Sequence, residues 1–524
     1  MNQTAQPTSS SQIWSFFITI VIAAALAVVV IAAATSGKGP TPLVMFLLGI
    51  VALSTVLVLN HAVGHFDLFV LAGVFFAFCF IGIDVNLFYQ RSDFSNYHFV
   101  HGTLASIRLT LPDAVFLYLL VTWMKKIAYG EEQVNILEKP NLLFVLYFVF
   151  VVASNFTAIS PLRGFFQTVM VAKVFLYYLY FSKVIKDGFQ LKAILWAFLL
   201  LLVFQDSIGF LQKASGGTLG LDILGGETKE TAVGLKYVSR VTGTANHPNT
   251  LSRFIGYMWP IFLGLFFVRG IKKEYRLIFA GITLYSLATL YLTLSRSGWL
   301  AALIVVPMIL FLNLRRRGVP ARRIVVLFTA TGLTIFCLLL AISSDFRARL
   351  YLEESRYRYP GFSPLEAAYR DFSDNPRAPL NRISMNMIGA NPILGVGLGH
   401  FWPEKRSYDD TPEAAGWGRL TVVHNMPLLV ACESGIPSAV FLCAFFFAVF
   451  WRGWRFAKRK NDFLAAVAWG LLGGEIIWFI SASLNVYEIG FTPFTWAALG
   501  LIIAMGKIPD RESYKTGFLE NTST

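Results

Sequence analysis

Apolar runs of about eighteen residues or more, the length a helix needs to cross the hydrocarbon core of a bilayer, recur along this chain between short polar turns. A soluble fold could not hide so much apolar surface: 56% of the 524 residues are hydrophobic, 15% are aromatic, and the mean hydropathy is +0.61. The pattern predicts an all-α, polytopic integral membrane protein with one main helical domain. The start of the chain lacks a basic stretch before its first apolar run, so no cleaved signal peptide is expected. Cys79, Cys337, Cys432 and Cys443 all fall in apolar segments, without disulfide or metal-ligand spacing, and no cofactor is expected. The net charge of +14 alone would fit a nucleic-acid binder. The placement of the basic residues argues against nucleic acid and for a membrane.

Fourteen spans are predicted, within a range of 12–14, at about 13–35, 41–60, 66–87, 111–124, 141–157, 166–182, 191–212, 252–268, 277–294, 297–314, 324–343, 424–450, 464–483 and 490–506. Lys125/Lys126, Lys183/Lys186/Lys192, Arg269/Lys272/Lys273/Arg276, the 315–323 arginines and Arg452/Arg455/Lys458/Arg459/Lys460 then lie in alternate loops. Such loops mark the cytoplasmic side. Both termini fall there, as loose tails 1–12 and 507–524. Residues 13–343 form spans 1–11 with an opposite-side loop at 213–251, and 424–506 form the last three spans. Between them, the loop 344–423 carries ten Lys/Arg and ten Asp/Glu, and its length and mixed charge predict a folded, partly helical lid. Within it, 383–390 reads as a short helix stopped at Asn391-Pro392.

Three polar clusters fall on the face opposite the basic loops: Arg240 to Asn249, Thr293 to Trp299, and His424-Asn425. Arginine stays charged at any relevant pH and offers a planar fork to phosphate oxygens. Helix N-termini near 251 and 424 add unpaired N–H groups. Two arginines and a histidine at a membrane surface suit an anionic, membrane-embedded substrate, with a neutral histidine able to take a proton from a hydroxyl. Arg296, between two closely connected apolar runs, has the least room to be accidental. Arg240 could be an ordinary loop charge, His247 a turn builder and His424 a polar helix start. Arg382, ahead of the loop helix, is within reach of substrate, and Glu433, inside an apolar run, could orient a partner. Gly395-Val-Gly397-Leu-Gly399 lacks the strand–helix context of a dinucleotide loop, so a tight or flexible backbone passage is expected. Asp409-Asp410 reads as solvated loop rather than metal site.

RVTGTANHPNTLS (240–252), TLSRSGWLA (293–301), NPILGVGLGHF (391–401) and HNMPLLVACESGIPS (424–438) together resemble the bacterial O-antigen ligase and polysaccharide polymerase superfamily. His424-Asn425, nine residues, Gly435, two residues and Ser438 follow the ligase pattern, with Ser where Gly, Thr or Val is usual. The resemblance covers roughly 240–440. It implies an inner-membrane glycosyltransferase that takes a glycan from undecaprenyl diphosphate on the periplasmic side, without nucleotide sugar or metal. The acceptor would be a glycan or lipid A-core, with polysaccharide export or assembly proteins as further partners. On this pattern His424 is the base, with Asn425, His247 and Arg382 among the substrate-binding candidates. Arg296 binds the diphosphate with Arg240 or Arg253, and the lid covers the site. A ligase, a polymerase and a protein O-oligosaccharyl ligase all fit. A transporter of an anionic or lipid-linked solute is the competing class, disfavoured because the polar groups gather at one face and no internal repeat appears.

Overall fold

A computed structural model describes residues 66–80, 84–87, 106–134, 138–217, 219, 229–233, 236–245, 247–343, 377–410, 422–485 and 492–519. The spans expected at 13–35 and 41–60, and the lid segments 344–376 and 411–421, lie outside the described residues. Sixteen α-helices make up most of the described chain: α1 (Phe66–Ala77), α2 (Leu111–Ala128), α3 (Lys139–Ala153), α4 (Pro161–Val184), α5 (Gly188–Ser215), α6 (Pro248–Gly256), α7 (Trp259–Phe266) and α8 (Lys273–Leu292) come first. Then follow α9 (Arg296–Arg316), α10 (Ala321–Ile342), α11 (Arg377–Ala390), α12 (Phe401–Glu404), α13 (Met426–Ser434), α14 (Ile436–Phe456), α15 (Asp462–Leu484) and α16 (Pro493–Met505). Among the described residues, seven segments, built on α3, α4, α5, α8, α9, α14 and α15, are long and apolar enough to cross a membrane. The all-α, multi-pass expectation holds.

Three expected spans are not continuous. The run at 66–87 stops as helix at Phe80, and Asp84–Leu87 (β1) pairs antiparallel with Ile107–Thr110 (β2). A second hairpin joins Lys229–Val233 (β3) to Lys236–Arg240 (β4). The run at 252–268 divides into α6 and α7, where Pro260 cannot donate to the helix ladder. The run at 424–450 breaks at Gly435, whose φ of +88° suits only glycine.

Helix starts follow local chemistry. Asp113 closes a capping box with Thr110, its Oδ2 accepting from the Thr110 N–H and hydroxyl at 2.8 Å each. Asp187 and Asn461 cap α5 and α15. Small residues then set how closely helices approach. A Cβ on Gly470 would lie 2.2 Å from Ile261 Cα, and one on Gly474 would lie 2.6 Å from the Tyr257 carbonyl, so α15 lies directly against the α6–α7 break. Gly500 does the same for α16 on α4.

The basic ends meet on one face. Arg452 at the end of α14 bonds Glu138 at 2.6 Å, with Lys183 at 3.7 Å from the same carboxylate. Arg316 at the end of α9 meets Asp462 at 3.2 Å. The C-terminal segment, expected to be loose, is folded through Leu519. Phe518 is buried against Tyr275, Phe279 and Phe463, and its carbonyl accepts from Lys272 N–H at 3.0 Å.

Candidate functional site

The opposite end of α9 carries a tight turn. Only Thr293, Leu294 and Ser295 separate α8 from α9, and Leu294 adopts a φ of +49°, a costly conformation for a residue with a Cβ. Ser295 is buried and its Oγ accepts from the Gly298 N–H at 3.4 Å, capping α9. Arg296 is therefore the first residue of a 21-residue helix. It is exposed and has no hydrogen-bond or ion-pair partner among the described residues. A Cβ on Gly298 would fall 2.0 Å from Ser252 Oγ, so this end of α9 sits directly on α6.

A ring of polar contacts holds that turn. Arg240, 7% exposed, donates from Nε to the Thr293 carbonyl at 2.8 Å and from Nη2 to Asn249 Oδ1 at 3.0 Å. Asn249 Nδ2 donates to Asn485 Oδ1 at 2.9 Å, and Asn485 Nδ2 donates to Ser297 Oγ at 3.1 Å. The end of β4, the start of α6, the turn before α9 and the end of α15 thus meet in one place. The first two polar clusters of the sequence share one site, with Arg240 behind the turn and Arg296 in front. His247 caps α6, its Nδ1 accepting from the Asn249 N–H at 3.0 Å. Arg253, half-buried in the last turn of α6, borders a small cavity of about 60 Å³ with Gln205, Thr244 and Tyr257.

The third cluster lies at the start of α13, which packs both on the spans and on a second, smaller core. His424 is half-buried immediately before Asn425, whose Oδ1 accepts from Leu428 N–H at 3.1 Å and caps α13. Helix α13 packs on α11, and Leu380, Ile383, Met387, Val396, Phe401 and Leu429 form a small core apart from that of the spans. The expected helix stop before Asn391-Pro392 is present, since α11 ends at Ala390.

The glycine passage is a tight backbone track. Val396 N–H donates to Cys432 O and Gly397 N–H to Glu433 O, each at 2.9 Å, satisfying carbonyls left open at the end of α13. Ile436 N–H donates to Pro392 O at 2.8 Å, satisfying the start of α14. Gly395, Gly397 and Gly399 all have positive φ, and a Cβ on Gly395 would lie 2.4 Å from the Glu433 backbone. Glu433 is buried, and its Oε1 accepts from the Phe401 N–H at 3.0 Å, capping α12.

The same passage is tied to earlier helices. Arg163 Nε donates to Gly399 O at 2.8 Å, and Leu398 N–H donates to Ser154 Oγ at 3.3 Å. His400 is fully buried. Its Nε2 accepts from Ser160 N–H at 3.2 Å, which leaves Nδ1–H to donate to Leu398 O at 2.9 Å. Burial pushes this imidazole down to about 4. Arg382 projects from α11 into an exposed ion pair with Asp410 at 2.8 Å, which draws the Asp410 carboxyl below its usual range. Sequence reasoning passed over Arg163 and Asn485. Arg163 carries a signal, a lone arginine between two apolar runs. Asn485 carries none, being an ordinary polar residue at the end of a span.

Residues 281–443 match the family model described as O-antigen ligase. The matched segment holds the Arg296 turn, His424, Asn425, Glu433 and Gly435, whereas Arg240, His247 and Arg253 precede it. No match was found among curated proteins. Residues 281–443 of this multi-pass membrane chain are thus similar to the O-antigen ligase family, over the stretch that holds Arg296 and His424.

Proposed function

We propose that the chain is a glycosyltransferase that moves a glycan from undecaprenyl diphosphate onto a sugar hydroxyl at the face bearing Arg240, Arg296 and His424. The observation that carries this reading is Arg296. A cation is disfavoured in the first turn of a helix, where the dipole already presents positive charge. Here the Arg240–Asn249–Asn485–Ser297 ring fixes the turn with Arg296 exposed and unpaired among the described residues. An incoming anion would relieve that arrangement, and a diphosphate matches the guanidinium fork and the N–H groups of α9.

In the reaction, His424 takes the proton from the acceptor hydroxyl. The acceptor oxygen bonds to the anomeric carbon of the glycan, and the bond from that carbon to the diphosphate breaks. The leaving diphosphate gains charge next to Arg296, with Arg240 or Arg253 contributing behind it. Asn425 caps the start of α13 next to His424, and Glu433 ties α13 to α12. The basic ends of the spans support an inner-membrane orientation with both termini cytoplasmic and the site facing the periplasm.

Purified protein given a lipid-linked glycan and an acceptor should form product without any membrane gradient, which a transporter cannot do. His424→Ala should lose at least about a hundredfold in rate, as for removal of a general base, while inserting and folding normally. Wild-type product from a well-folded His424→Ala protein removes the base role. In a deletion strain, long polymer held on the carrier assigns a ligase, and single repeat units assign a polymerase.

A further inference from the structure

Helix α15 carries a carboxyl group for which glycan transfer has no use. Glu475 lies thirteen residues from the start of α15 and nine from its end. At about 1.5 Å per residue these are about 20 Å and about 13 Å along the axis, within the middle part of the span. Glu475 is 6% exposed, and neither Oε1 nor Oε2 has a hydrogen-bond partner among the described residues. It lines a cavity of about 460 Å³ between α14, α15 and α16, walled by Cys443, Phe446, Phe450, Trp478 and Leu499. Phe447 and Phe479, at 66% and 40% exposed, also border it, so the cavity opens on the outer surface of the helix bundle.

An isolated carboxylate in apolar surroundings is far more costly than the neutral acid. The neutral acid has one O–H donor and one carbonyl acceptor. Both are left open here, and a buried polar atom without a partner is costly. The matching ligand group must donate and accept at once. An ester or ketone only accepts, a hydrocarbon does neither, and a charged headgroup stays at the interface. A hydroxyl does both. The volume lies in the range of small-molecule sites. We infer that this cavity binds a neutral long-chain alcohol from the membrane, its hydroxyl paired with both oxygens of Glu475 and its chain lying along the aromatic walls.

The test uses the full-length protein in lipid nanodiscs with no glycan present, so its outcome is separate from that of glycan transfer. Dicyclohexylcarbodiimide adds to a protonated carboxyl: the acid oxygen bonds to the carbodiimide carbon, the proton passes to a carbodiimide nitrogen, and nothing leaves. Peptide mass spectrometry should find Glu475 modified. Hexadecanol should reduce that modification about tenfold, as for a ligand near ten times its Kd, and hexadecane should leave it unchanged. Tritiated hexadecanol should bind the wild type and Glu475→Gln, which keeps a donor and an acceptor, and should not bind Glu475→Leu. An unmodified Glu475, equal protection by hexadecane, or full binding to Glu475→Leu overturns the assignment.

Discussion

Arg296 shows how one side chain can expose a site's purpose. It stands at the positive end of α9 without a counter-ion among the described residues, and four separate parts of the chain hold it there. If it grips a diphosphate through two parallel N–H groups, Arg296→Lys keeps the charge and loses the fork. We expect kcat/KM to fall roughly tenfold to hundredfold, about 1.4–2.8 kcal/mol of lost transition-state binding, with no change in thermal stability. Unaltered turnover and carrier affinity would take Arg296 out of the site. Its placement at the start of a span was readable from sequence, because it stands between two adjoining apolar runs. The partnership that fixes it was not: Asn249 and Asn485 are 236 residues apart, and nothing in either neighbourhood points to the other.

Helices α13 and α14 were legible as one apolar stretch, since hydropathy does not register a break that costs no apolar residues. What divides them is the backbone of residues 392–397, which supplies the hydrogen bonds that a continuous helix would have made for itself. Glycine at 435 is demanded twice, by a φ of +88° and by the Ile393 carbonyl, which a Cβ would approach to 1.9 Å. Gly435→Ala should therefore cost more than the roughly 1–3 kcal/mol of backbone strain alone. It should lower the unfolding temperature in detergent and open α11 and α12 to protease. Gly281→Ala is the matched control: it lies within α8, where a Cβ meets nothing within 4 Å, and alanine there should leave stability unchanged or raise it by about 1 kcal/mol. Equal effects of the two substitutions would refute the threaded break. The glycine repeat was readable from sequence as a tight passage, but not the place where it is threaded.

Across the whole molecule, the described loop segment 391–410, part of the expected lid, is joined to the start of α4 by the buried His400. In the docked state His400 accepts a hydrogen bond at Nε2, so that nitrogen cannot carry a proton, and burial holds its pKa at about 4. Released, it returns to about 6.5. Between those values the released form takes up a proton that the docked form refuses, so docking weakens as pH falls from about 6.5 to about 4 and is level on either side. The full loss is about 3 kcal/mol. Proteolysis of the lid should accelerate through that window in the wild type, and His400→Gln should abolish the acceleration; identical profiles would refute the anchor. The multi-pass, all-α plan was legible because hydropathy alone dictates it. Its two hairpins were not, because short strands beside apolar helices leave no separate signal. One consequence concerns synthesis. The passage 392–400 is gripped on one side by Ser154, Ser160 and Arg163, made early, and on the other by Cys432, Glu433 and Ile436, made late. A nascent chain that has emerged only as far as the lid holds half of its clasp. The chain therefore completes this clasp only once α13 and α14 are delivered, and a ribosome stalled before that point is expected to leave an open, protease-sensitive intermediate.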